Sequence, residues 1–451
     1  MLPRPVAPEH RRQRPVADAA SPHALPREDA VMPAAPWFRT LLVAALPVLA
    51  GRGGPAQPLG AAVSVTPLDA DVIHYATFQS HNQKVVADGS RIYTTHLRTR
   101  NAPYTAQTWR LSVSDDGGRH FRTMVEETLG TNPPVLEIAA DGTLYLFRVD
   151  FPSGAGFLDR WAASAPRDPS GRTTTVIPGA AAGKYAALLD ETRGRLCFAS
   201  HNGTFHRLGS DGALVDSRTI LAPGANGILQ YPHLAGDEEG RIHLAWTTVK
   251  HGAYLYRSIH HLVSADGGDT FGTCAGPSLA LPIVADDTGP ATRITPDEEL
   301  DVHTWLSSAV ARGGRWHALY LAQSNPPRQH LVSYDIATGR RLADRQPVLR
   351  GDAIRLEGLD GFFVADRRRP RRLYVIGNDG GRLGCLVSDD AGVTWRDHAR
   401  SGTAWSPYSI GGFRWTTGEG DCIGTFTDQV APASDVDAGS RVFFFRIAGA
   451  P

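Results

Sequence analysis

Seven stretches of the sequence place imidazole, phenol, amide or, once, carboxyl side chains just ahead of an apolar strand pattern. They are His81-Asn82-Gln83, Asn132-Pro133-Pro134, Lys184-Tyr185, Gln230-Tyr231-Pro232-His233, His303-Thr304-Trp305, Glu357-Gly358 and Pro407-Tyr408. Such groups are costly to bury without partners, so their recurrence at strand starts points to an opening that water and ligand reach. Histidine titrates near neutral pH, and a tyrosine whose pKa is lowered by nearby cations serves as base or acid. Asn, Gln and Arg are natural partners for a carboxylate. Acids are scarce in the set. Carboxylate-pair glycoside hydrolysis needs two of them roughly 5 to 10 Å apart, and only Glu357 stands at a comparable position. The inventory suits abstraction of a proton beside a carboxylate better than hydrolysis by a carboxylate pair.

The elements that must position these groups follow from a repeat. A turn with Gly or charged residues, then a strand of alternating apolar positions, recurs with anchors at Ile92, Leu144, Leu196, Ile242, Trp316, Leu373 and Ile423. A spacing of about 50 residues holds four short strands, the size of one propeller blade. Seven copies over residues 63–451 predict an all-β, seven-bladed β-propeller, in which stacked blades bury faces that a single sheet leaves wet. The strand ahead of each anchor is then the inner one, and the seven stretches gather at one mouth of the central channel. The segment from Arg441 to Ile447 is expected to pair near Val72 to Phe78 and tie the ring shut, hiding an edge. The interval from Ile242 to Trp316 is the longest, and residues 285–303 within it predict a long loop over one face.

Three segments obey Ser-x-Asp-x-Gly-x-x-aromatic: Ser114, Asp116, Gly118 and Phe121; Ser264, Asp266, Gly268 and Phe271; and Ser388, Asp390, Gly392 and Trp395. The Ser and Asp side chains suit a tight turn, Gly supplies a positive φ, and the aromatic packs beneath it. The three carboxylates are therefore expected to be structural. These segments resemble the Asp-box, or BNR, repeats of sialidase-like propellers, a resemblance that covers roughly residues 63–451. With "YPHLAGDEEGRIHLAWTT", "YRSIHHLVSADGGDTF" and "SHNQKVV", the chain resembles more closely the branch containing seven-bladed lyases of uronate-containing glycans such as ulvan. True sialidases carry an Arg-Ile-Pro triplet that is missing here.

The resemblance implies β-elimination at a uronate of an extracellular polysaccharide, with His81 in the principal acid-base role, Tyr185 as the matching tyrosine and His96 bracing the sugar. From their places around the ring, Asn82, Gln83, His201, Tyr231, His233 and His303 are the expected substrate contacts. Where a neutralising arginine is expected after the Tyr185 strand, the chain has His201-Asn202, which leaves that task to Arg257 or Arg293. A sialidase-like or rhamnosidase-like hydrolase, and a carbohydrate-binding propeller without catalysis, are the alternatives. No cofactor is implied, and no metal: His260 and His261 are adjacent strand residues that point to opposite faces.

With 46 basic and 46 acidic side chains in 451 residues, the chain offers no electrostatic case for nucleic acid or an anionic membrane. Residues 1–62 are rich in Ala, Pro and Arg without strand-like alternation and are expected to be disordered. Within them, the apolar run from Thr40 to Ala50 is too short for a membrane span of roughly 20 residues and suits a signal peptide. Met32 is the expected true start. A secreted monomer follows as the expectation. Cys197, Cys274, Cys385 and Cys422 have no metal-ligand spacing and permit disulfides without requiring them.

Overall fold

The computed structural model describes residues 61–79, 82–100, 107–128, 132–150, 153–180, 183–224, 227–250, 255–285, 292–345, 357–429 and 439–451. The expected signal peptide and start at Met32 lie outside the described residues, and so does His81. Within them the regular secondary structure is almost entirely strand, arranged as the seven blades that the repeat predicts. The inner strands are Val85–Asp88, Val135–Ile138, Ala186–Asp190, Gly227–Gly236, Thr304–Arg312, Glu357–Ala365 and Pro407–Gly412. Each meets the next around the ring, and the seventh meets the first. All seven anchor residues lie in the second strand of their blade.

The second strands show why simple alternation fades in the middle of a blade. Leu144–Val149 reads Leu-Tyr-Leu-Phe-Arg-Val and is buried at every position but one, because both faces of the sheet are covered by neighbouring blades. Between blades 2 and 3 the contact layer is Val135, Tyr145, Phe147, Tyr185, Leu196 and Phe198. Enclosing each large side chain of such a layer contributes roughly 1.5–3 kcal/mol.

The three Ser-x-Asp-x-Gly segments form hydrogen-bonded turns that also tie blade to blade. In the first, Ser114 Oγ donates to Asp116 Oδ1 at 2.8 Å and accepts from Gly118 N at 2.8 Å. Asp116 accepts from the backbone of Arg119 and His120, both at 3.0 Å. Gly118 sits at φ 89°, and a Cβ there would fall 2.3 Å from the Phe444 ring of blade 7. Gly268 meets Phe205 of blade 3 in the same way, and Gly392 meets His317 of blade 5. Glycine is thus required twice over, for its backbone angle and for the neighbour that fills the place of its side chain.

Among the described residues blade 4 departs from the four-strand pattern, with Gly227–Gly236, Ile242–Lys250 and Leu255–Ser264 as its three strands. Part of the long loop expected over one face supplies the missing edge instead. His261 N donates to Thr292 O and Ile294 N to Ile259 O, both at 2.8 Å. Ile283–Ala285 pairs in parallel with Leu221–Pro223. Unpaired strand groups on a buried edge are costly, and the insertion satisfies them.

The ring closes in blade 7, where Val63–Val72 pairs antiparallel with Ser440–Ile447 from Val63 opposite Ile447 to Val72 opposite Ser440. The expected partner, Val72 to Phe78, overlaps this strand only at Val72: residues 74–77 form a turn, while Val63 and Val65 reach the core beside Phe443 and Phe445. The closing strand is clasped to blade 1 through Asp69. Its carboxylate accepts from His96 Nε2 at 3.0 Å, Arg98 Nε at 2.8 Å and Arg110 Nη1 at 2.8 Å, and Glu126 takes the remaining faces of both arginines. Asp69 is held below the usual carboxylate range by these partners against the opposing effect of burial.

Asp69→Ala removes the acceptor that His96, Arg98 and Arg110 share and should lower the unfolding free energy by about 2 kcal/mol, read from a denaturant midpoint. Because its folded pKa is depressed, Asp69 stabilises above the unfolded carboxyl value of roughly 3.9 and loses that effect as pH falls through the folded value. The variant should therefore show a flatter acid limb than the parent.

Candidate functional site

The mouth at which the inner strands begin is crossed by the segment that follows the closing strand. Ala76 N donates to Ile73 O at 3.2 Å and Phe78 N to Tyr75 O at 3.0 Å, folding residues 73–78 into consecutive turns. Blade 7 anchors this segment: Thr77 N and Oγ1 meet Thr427 Oγ1 at 3.1 and 2.8 Å, and Gln429 Nε2 donates to His74 O at 3.1 Å. At its far end the Phe78 ring stands 6.3 Å from Tyr231 of blade 4.

From there an arc of rings continues around the mouth. Tyr231 lies 5.5 Å from Tyr256, Tyr256 4.2 Å from Trp305, and Trp305 5.6 Å from His303 in a stacked pair. Phe78, Trp305 and His303 are part-exposed, while Tyr231 and Tyr256 are buried among them. Lys184 of blade 3 holds its ammonium 5.7 Å from the Tyr231 ring centre, within range of a cation–π attraction. The position of Tyr231 depends on a bulge. Register slips between Gln230 and His233, and Tyr231 adopts φ 49°, a left-handed conformation that costs on the order of 1–3 kcal/mol for such a residue. Ser409 of blade 7 repeats it, with φ 49° and a slip between Tyr408 and Gly411.

His303 has a defined protonation pattern. Its Nδ1 accepts from Tyr256 N at 3.2 Å, and burial holds its pKa below the usual imidazole value. The neutral ring consequently carries its proton on Nε2, where it is a hydrogen-bond donor.

Beneath the mouth the channel is filled by a polar network joining four blades. Gln83 Nε2 donates to Leu136 O at 2.9 Å and Glu137 Oε2 at 3.2 Å, and Gln83 Oε1 accepts from Arg414 N at 2.9 Å. The Arg414 guanidinium reaches Glu137 Oε1 at 2.7 Å and Ala187 O at 2.9 Å. Burial outweighs the arginine and pushes Glu137 up to about 7. His233 is driven down to about 3 by burial and by Arg414, so its imidazole is neutral. The Glu137–Arg414 pair did not emerge from the sequence. Its signal was an acid inside the apolar run Val135-Leu136-Glu137-Ile138, whose partner lies in another blade.

The remaining site expectations fall in distinct places. Asn82 is buried, its Nδ2 donating to Gln79 Oε1 at 2.8 Å and Tyr185 O at 2.9 Å. Lys84 is fully enclosed, and its ammonium holds the carbonyls of Gln79 and Asn82. Tyr185 is 1% exposed, in the layer between blades 2 and 3, its single hydroxyl proton shared between the carbonyls of Pro133 and Phe147 at 3.4 and 3.3 Å. Burial raises its pKa, opposite to the lowering that a catalytic tyrosine needs. His96 is fully enclosed in the Asp69 clasp, away from the mouth, because alternation turns it toward blade 7. Its pKa is lowered by burial. His201 lies against Gly183, whose carbonyl accepts from Asn132 Nδ2 at 2.9 Å, at the blade 3 entrance. Arg257 is buried beside Tyr256. Arg293 stands on the outer edge of blade 4, opposite His260 and paired with Asp297, away from the arc. The structure thus groups Tyr231, His303 and Lys184, seats Gln83 and His233 below them, and sets His96 and Arg293 apart.

No protein-family profile matches the chain, and no curated protein does. Among solved structures, it is similar to a polysaccharide lyase of a family designated PL25, an ulvan lyase, at 12% identity and a TM-score of 0.59 over 83% of this chain and 94% of that one. A structure of such a lyase bound to -[GlcA(1-4)Rha3S]- gives 12% identity and a TM-score of 0.60 with the same coverage. The polysaccharide lyase Uly1 follows at 10% identity and a TM-score of 0.50, covering 87% of this chain and all of that one. At these identities the likeness is one of fold.

Glu137 supplies a test of the channel network. A carboxyl whose folded pKa is raised stabilises fully below its unfolded value of roughly 4.3 and loses that effect as pH rises through the folded one. Denaturant midpoints of the parent should therefore decline on going from about pH 4.5 to about pH 7 more steeply than those of Glu137→Gln. Identical slopes would place the carboxyl in an ordinary environment.

Proposed function

We propose that the protein is a secreted carbohydrate-active propeller that binds a uronate-containing polysaccharide across this mouth and cleaves it by β-elimination. The observation that carries the reading is the aromatic arc of Phe78, Tyr231, Tyr256, Trp305 and His303 with the Lys184 ammonium beside it. Sugar rings present apolar C–H faces that pack on aromatic side chains, and a nearby cation suits an acidic sugar. The fold shared with ulvan lyases and the apolar run from Thr40 to Ala50 support the same reading.

In this proposal Lys184 and Arg257 meet the uronate carboxylate and stabilise the charge that develops when the C5 proton leaves. His81 takes that proton as the general base, the role implied by the family resemblance. His303 donates from Nε2 to the sugar beside the scissile bond. Tyr185 acts by position, since its enclosed backbone carbonyl holds Asn82. Carboxylate-pair hydrolysis finds less support. Asp379 and Asp428, at the mouth-side ends of their strands, are paired with Arg400 and Arg441, and Glu137 lies within the channel.

Incubation with ulvan and other uronic glycans should yield the ultraviolet absorbance of an unsaturated uronate. His81→Ala should lower that rate by about 10²–10⁴-fold, while Tyr185→Phe should keep it within about threefold, as loss of one long, shared hydrogen bond implies. New reducing ends without absorbance would replace the lyase reading with hydrolysis. Binding without either product would leave a carbohydrate-binding propeller.

A further inference from the structure

A second set of reactive side chains lies outside the mouth, where blade 4 packs against blade 5. His243 and His261 occupy adjacent strands on one face of blade 4, with rings stacked at 5.3 Å. His243 Nε2 meets Asp237 Oδ2 at 3.1 Å, His243 Nδ1 meets His261 Nε2 at 3.0 Å, and His261 Nδ1 meets Cys274 Sγ at 3.8 Å. Asp237, His243 and His261 are buried, whereas Cys274 is part-exposed. Three other features hold the line straight. Arg241 Nε fixes Asp237 at 2.5 Å, Trp316 stacks on His261 at 3.9 Å, and the backbone of Gly339 packs against the carbonyl of Cys274.

These contacts leave one arrangement of protons. Asp237 is a carboxylate, held low by His243 and Arg241 against its burial, so it only accepts and His243 Nε2 donates. Burial keeps both imidazoles neutral and pushes the Cys274 thiol up to about 11, so the thiol is protonated at rest; His243 Nδ1 accepts from His261 Nε2, and His261 Nδ1 is left to accept from the thiol. Other groups facing the line are Arg241 and Glu239 from blade 4, Tyr334 and Asp335 from blade 5, and His233 on the inner side of His261. Among the described residues no group of His, Cys, Asp or Glu is arranged to hold a metal ion.

We propose that Asp237, His243, His261 and Cys274 form a proton relay that makes Cys274 a reactive thiol, a site for two-electron oxidation by hydroperoxides. The thiol proton passes to His261 Nδ1 as the Nε2 proton of His261 passes to His243, leaving an imidazolium beside Asp237. The sulfur attacks one peroxide oxygen and the O–O bond breaks. The departing hydroxide takes a proton back from His261, giving a sulfenic acid on Cys274 and water. Sulfur loses two electrons and the peroxide gains them. Proton transfer within the relay creates thiolate without exchange with solvent, so its population does not depend on pH across the neutral range. A thiol without such a base reacts in proportion to its thiolate fraction, rising about tenfold per pH unit below its pKa.

The test is hydrogen peroxide oxidation of the full-length protein, with Cys274 followed by trapping of the sulfenic acid and mass spectrometry between roughly pH 6.5 and 8.5. Cys197, Cys385 and Cys422, all fully enclosed, are internal controls. The relay predicts a Cys274 rate that changes by less than about threefold over that range. It also predicts that His243→Gln slows the reaction about tenfold or more and restores the steep rise with pH. Should that variant fail to fold, Asp237→Asn serves, with a smaller slowing in the same direction. A parent rate that climbs about tenfold per pH unit, or a folded variant with an unchanged profile, overturns the proposal.

Discussion

The structure depends on closure of the ring. No blade covers both of its own faces, so each relies on two neighbours, and the first and last have them only because Val63–Val72 completes the sheet built from the C-terminal strands. That pairing joins residues separated by nearly the whole chain, and its entropic cost is offset by strand hydrogen bonds, by Phe443 and Phe445 in the core and by the Asp69 clasp to blade 1. Closure also builds the candidate site. The turns that leave the closing strand carry Phe78 over the opening to meet Tyr231 from the opposite side of the ring.

Below those turns a polar network ties the blades together. Gln83, Glu137 and Arg414 link blades 1, 2, 3 and 7 through hydrogen bonds that are shielded from water and therefore specific about register. Nearer the opening the bulges at Tyr231 and Ser409 interrupt the regular ladder, and the proposed ligand contacts lie there. Strain of this kind persists only where the surrounding structure enforces it.

Much of this was legible in the sequence. The recurrence from Ile92 to Ile423 gave the blade count and placed the inner strands, and the polar strand starts fall together at one end of the channel. Single-residue roles were harder, because alternation tells which face a side chain takes but not what waits there. His96 follows alternation and meets Asp69, a partner distant in sequence. Asn82, Gln83 and Tyr185 stand at the mouth end as expected, yet each is enclosed by contacts between blades. Phe78 read as part of a strand and instead forms the start of the arc. The pairs Phe78–Tyr231, Glu137–Arg414 and Cys274–His261 have no local signature, since each is made by tertiary packing.

The account stands or falls on the aromatic arc as the surface that holds sugar. Calorimetric titration of a uronate oligosaccharide into the parent and into Trp305→Ala measures this directly. The account predicts saturable binding that weakens about tenfold or more in the variant, with the fold retained. Equal affinity in the two proteins would contradict it.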